Sequence, residues 1–127
     1  MYPSLSVDRT LNAAYIRLHP KDAIRELTLC VDPNINLEFD AQGRLLGIEV
    51  LSPPTRLHCP RVLIDRDIDA GYIRVQPRDV IGERTLAVDS DITLDLDSVG
   101  SLVGVEILSV ATRLHPALVR DAVWPGA

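Results

Sequence analysis

The sequence predicts an all-β fold made of two antiparallel meander repeats. A pseudo-twofold axis relates them, and they share one core, closed as a barrel or folded as a sandwich. Three observations predict this. The first is an internal repeat at an offset of 57 residues, with no gap. Leu11–Leu18 returns as Ile68–Val75, Gly43–Ser52 as Gly100–Ser109, and Thr55–His58 as Thr112–His115. A repeat this regular constrains architecture more firmly than local propensity does. The second is period-two alternation of apolar and polar residues within short segments. The third is the lack of any crossover helix of about ten or more residues, which parallel strands would need.

The elements follow in order. Leu5–Asp8 and Val62–Asp65 read as short first strands, each followed by a polar connection suited to a tight turn. Ala13–Leu18 then alternates, with Ala14, Ile16 and Leu18 on one face and Ala13, Tyr15 and Arg17 on the other. Residues 70–75 repeat that pattern. Segments 20–26 and 77–83 each begin with Pro and read as irregular loops leading into strands at 27–31 and 84–88. Ile35–Phe39 and Ile92–Leu96 alternate again. Asp40 to Gly43 and Asp97 to Gly100 carry Asp first and Gly last, which suits a type I turn closed by a glycine at positive φ. Leu45–Leu51 and Leu102–Leu108 are apolar at nearly every position, as central strands are. Residues 53–57 and 110–114 have room for one helical turn, and Ala117–Val123 for a brief terminal helix. Trp124, in the tail, suits covering an open sheet end or meeting a partner subunit.

At 127 residues the chain is sized for one domain, 1–127, with repeats at 5–60 and 62–117 and a tail at 118–127. One copy alone would bury too little surface to be more than marginal, so a shared interior is the expected solution. The formal net charge of −5 and the scattered arginines argue against a nucleic-acid partner. Only five aromatic residues are present, a poor platform for stacking on bases. Cys30 and Cys59 have Ala87 and Pro116 as counterparts, so the repeat gives no symmetric disulfide. They read as reduced thiols in a cytoplasmic protein. No apolar run is long enough for a membrane span or a leader.

Two sets of polar residues stand out. Glu49 and Glu106 sit inside the most apolar strands, and an unpaired carboxylate buried there would cost several kcal/mol. Arg17 and Arg74 lie in strands with apolar neighbours. The structural reading pairs Arg17 with Glu49 and Arg74 with Glu106, or crosswise between copies. The functional reading makes Tyr15, Arg17 and Glu49, with Tyr72, Arg74 and Glu106, candidate catalytic or binding residues of a small pocket. No nucleophile and no cofactor motif accompanies them, so no cofactor is expected. The second set is Glu38 and Asp40, with Asp95 and Asp97. They resemble the start of a calcium loop but lack the rest of its pattern, and read as solvated strand faces and turns. His58-Cys59 is not echoed by His115-Pro116 and makes no metal site.

The chain resembles the bacterial family called domain of unknown function 2283. Tyr15–Arg17, Glu38–Gly43 and Leu46–Leu51 carry the resemblance, and Tyr72–Arg74, Asp95–Gly100 and Val103–Leu108 carry it again. Glu38 stands where the pattern has Asp. The resemblance implies a tandem pair standing in for a homodimer, and an antitoxin-like or other protein-binding role. The family carries no established active site, so no functional residue transfers to this chain. The functional expectation is therefore an interaction or small-ligand binding module, using an exposed strand edge or the acidic hairpins, with a protein partner or a second copy. The competing expectation is a small β-barrel enzyme whose lumen is lined by the Tyr, Arg and Glu residues.

Overall fold

The computed structural model describes residues 2–20 and 22–122, with no side-chain account of Asp121. The first repeat contributes β1 (Ser4–Asp8), β2 (Ala13–Arg17), β3 (Leu27–Asp32), β4 (Ile35–Phe39) and β5 (Leu45–Leu51). The second contributes β6 (Arg61–Asp65), β7 (Ala70–Arg74), β8 (Arg84–Ala87), β9 (Ile92–Leu96) and β10 (Leu102–Leu108). Two short helices follow, α1 (Val110–Arg113) and α2 (Pro116–Asp121). Val123 and Trp124 lie outside the described residues. No helix among the described residues is long and apolar enough to cross a membrane.

Each repeat forms one five-stranded antiparallel sheet, and the two sheets make a sandwich; no barrel closes. The strand orders are β1-β2-β5-β4-β3 and β6-β7-β10-β9-β8. This corrects the meander expectation. A meander would set β3 beside β2, whereas here β5 returns to pair with β2, in a Greek-key order. The apolar β5 needs a neighbour on each side to satisfy its backbone, and the central place gives it both. The segment after Leu18 then carries the chain to the far edge, where β3 begins.

Alternation decides which face is buried. Ala14, Ile16 and Leu18, Ile35, Leu37 and Phe39, and Ile48 and Val50 point inward from the first sheet. Ile73, Val75, Ile92, Leu94, Leu96, Val105 and Ile107 answer them from the second, within one cluster. Each large side chain so buried is worth about 1.5–3 kcal/mol against exposure. Leu45 also makes a parallel bridge to Leu114, so the end of the second repeat joins the first sheet.

The hairpin turns are built alike. Asp40 Oδ1 accepts hydrogen bonds from the backbone N–H of Gln42 (3.0 Å) and Arg44 (2.9 Å). Asp97 Oδ1 does the same for Val99 (3.1 Å) and Ser101 (2.9 Å). Gly43 and Gly100 complete the turns at φ of 80° and 86°, where a side chain would be strained. The next strand then bulges. Glu38 pairs with Gly47 but Phe39 with Leu45, so Leu46 is the extra residue; Val103 is its counterpart.

Candidate functional site

The register places Tyr15 opposite Glu49 and Arg17 opposite Gly47, all on the outer face of the first sheet. The second sheet repeats this with Tyr72 opposite Glu106 and Arg74 opposite Gly104. The candidate residues thus share a face with solvent and line no lumen. With no closed barrel and these side chains outside it, the barrel-lumen pocket is overturned.

The expected Arg–Glu pairs do not form either. Arg17 Nε donates to the carbonyl of His19 (3.0 Å), while Glu49 Oε1 accepts from Asn36 Nδ2 (2.8 Å). Arg74 Nη1 donates to the carbonyls of Gln76 (3.3 Å) and Pro77 (3.1 Å) and lies over the Tyr72 ring, 5.8 Å from its centre. Glu106 is exposed and needs no partner. The physical reason is the pairing: Arg17 is offset diagonally from Glu49, and carbonyls just past the end of β2 lie nearer its guanidinium.

What the face does build is a tyrosine brace. Tyr15 Oη donates to Glu38 Oε1 (2.7 Å), and Arg25 Nη1 holds the other Glu38 oxygen (3.0 Å). The Tyr15 ring lies across Gly47 so closely that a Cβ there would overlap the ring and hydroxyl. Tyr72 lies over Gly104 in the same way and donates to Asp95 Oδ2 (2.8 Å). Burial first, and then the carboxylate it donates to, push each phenol well above its ordinary range. Both are therefore fixed donors at neutral pH and unsuited to act as bases. Sequence reasoning named the tyrosines but missed their bonds. The clue was present: Glu38 and Asp95 alternate onto the same face as Tyr15 and Tyr72.

A different place combines apolar surface with open backbone. Beside β3 a cleft of about 480 Å³ runs between the sheets. Leu27, Leu29, Phe39 and Val88 give it apolar walls, and Arg113 lines it too. Arg113 Nη2 binds Asp89 Oδ2 (2.8 Å), its Nη1 binds Asp91 Oδ2 (3.0 Å), and its Nε donates to the Gly43 carbonyl (2.9 Å). Its guanidinium also stands 5.9 Å from the centre of the Phe39 ring. This one side chain therefore ties the second repeat to the first. The hydrogen bonds from Arg113 hold the Asp89 carboxyl below the usual carboxylate range. Sequence reasoning passed over both Arg113 and the β3 edge.

Leu27 is 54% exposed and Leu29 37%, although both point to the side that is core elsewhere. All of 27–30 is exposed. The counterpart edge, β8, opens with Arg84 where β3 has Leu27, and its Leu86 is half-buried. Charge on an edge strand discourages pairing, and β3 carries none before Asp32. The acidic hairpins, in contrast, spend Asp40 and Asp97 on their own turns.

The remaining candidates are structural. His115 Nδ1 caps α2 by accepting from Ala117 N–H (3.1 Å). Cys30 and Cys59 are free and exposed. Among the described residues no three or more His, Cys, Asp or Glu side chains are grouped to hold a metal ion. Comparison with curated proteins and with solved structures gave no match. The description "Protein of unknown function (DUF2283)" matches the chain twice, over residues 5–52 and 61–110. The chain therefore belongs to that family, with its domain present in tandem.

Proposed function

We propose that this protein is a binding module that receives an extended polypeptide along β3. The observation that supports the reading is the coincidence of an uncharged, exposed strand edge with the cleft of about 480 Å³ beside it. The open edge offers backbone hydrogen bonds, and the cleft takes alternate side chains of the added strand. Half-exposed Leu27 and Leu29 are each about 1 kcal/mol short of full burial, which a docked strand would supply. An antitoxin-like role, in which the bound polypeptide belongs to a toxin, is one form of this activity.

The test compares edges. Tagged full-length protein, a Leu27→Lys/Leu29→Lys variant and an Arg84→Glu variant of β8 are used to capture partners, which mass spectrometry identifies. The reading predicts partners that bind the native chain and the β8 variant but not the β3 variant. Partners retained by the β3 variant would contradict it. Both leucines are only half-exposed, so the variant should lose about 1–2 kcal/mol but still unfold in one cooperative transition well above the binding temperature, which separates lost binding from lost folding.

A further inference from the structure

We infer that the strand received by β3 is apolar in its middle and basic at both ends. This rests on the β3 reading and deepens it. The cleft accounts for the apolar part. Charge accounts for the ends. The guanidiniums nearby are committed: Arg25 to Glu38, Arg44 to Asp40, and Arg113 to Asp89 and Asp91. Glu26, just before the exposed stretch, and half-buried Asp32, two residues past it, hold no ion pair among the described residues; Asp32 Oδ2 accepts from the Asn34 N–H (3.1 Å) in its own turn, with no cation against it. A docked strand thus meets an uncharged centre between two unneutralised carboxylates, on a chain whose net charge is −5. Their separation of six residues is about 20 Å of extended chain, so one basic residue near each end of a seven- or eight-residue strand would reach both. Opposite charges across strands stabilise pairing, and like charges oppose it.

The same charges disfavour a second copy of this chain. An antiparallel pair of β3 strands with Leu29 on the axis would set Glu26 against Asp32 of the second copy, twice. A partner strand with acidic ends would meet the same repulsion.

Two synthetic eight-residue peptides test the inference. Both alternate valine and threonine in the middle; one has lysine at each end, the other glutamate. Each is titrated into the full-length protein while backbone amide signals are followed by NMR. The lysine-ended peptide is expected to shift signals of 27–30, leave those of β8 in place, and bind roughly five- to tenfold more tightly than the other. In Glu26→Gln/Asp32→Asn that preference should fall to within about twofold. Equal binding of both peptides at β3 of the native chain would overturn the charge inference and leave the β3 reading standing. If neither peptide moves the β3 signals at about 1 mM, the β3 reading falls with it. If the β3 signals move with protein concentration alone, the occupant is a second copy and the inference is overturned.

Discussion

Arg56 and Arg113 occupy the same place in two copies of Thr-Arg-Leu-His, yet they do different work. Arg113 is enclosed between the sheets and engages two aspartates, a carbonyl and an aromatic face. Arg56 is exposed and makes a two-pronged surface pair with Asp79 (2.8 and 2.9 Å). The cause lies just upstream. Val110 N–H bonds to the Asp69 carbonyl (3.1 Å) and Ala111 N–H to Asp69 Oδ1 (3.0 Å), docking α1 on the sheet. Their counterparts, Pro53 and Pro54, have no N–H to give. No helix forms at 53–57, and Arg56 swings outward. The acceptors differ as well, since Asn34 stands where the second copy has Asp91. Duplicated sequence therefore fixes a shared frame, and two prolines with one lost carboxylate are enough to make one arginine a clamp and leave the other on the surface.

The largest expected effect tests where the halves agree. Gly47→Ala and Gly104→Ala should each cost about 3 kcal/mol by displacing a tyrosine ring, with similar losses in urea denaturation. A loss confined to one copy would break the equivalence of the two braces. Next comes the place where they differ. Arg113→Ala should cost about 2 kcal/mol, less than a fully buried pair because its aspartates are part-exposed. Arg56→Ala should leave the unfolding midpoint where it is, as an exposed pair contributes little. Equal losses at the two positions would refute the clamp.

Two pH effects sharpen the same contrast. Tyr15 and Tyr72 titrate in the fold well above the ordinary phenol range, because burial and a carboxylate oppose the charged form. Stability from this source is complete below the phenol's unfolded value and is lost as pH rises beyond it. Absorbance at the phenolate band should then rise together with unfolding, and Tyr15→Phe/Tyr72→Phe should remove that coupling. The smallest effect lies at acid pH. Asp89 is held below its ordinary value by Arg113, so its contribution is present above that value and fades as pH falls through the depressed one. Arg113→Ala should flatten the loss of stability below about pH 4; an unchanged slope would place the acid sensitivity elsewhere.

Much of the fold was legible because strands announce themselves by alternation. The Asp-x-x-Gly turns and the apolar β5 and β10 mark the middle of each sheet from sequence alone. Strand order was not legible. Whether β5 or β3 lies beside β2 depends on pairing across the whole repeat, and no local signal in 18–26 states where the chain will land. The polar face was half legible: Tyr15 and Glu49 were placed correctly in strands. Without the register, Arg17 and Glu49 looked like partners. The β3 edge went unnoticed because Leu-Thr-Leu-Cys-Val reads like any half-buried strand. Its exposure comes from what the second sheet fails to cover.

Both the clamp and the cleft presuppose that the sheets stabilise each other through one interior. Residues 1–60 produced alone, held monomeric and unfolded in urea, test that most directly. The half-chain is predicted to show no cooperative transition, since its inward leucines and isoleucines would face water. A sharp transition at the full chain's midpoint would mean that each sheet folds unaided, and would contradict the account.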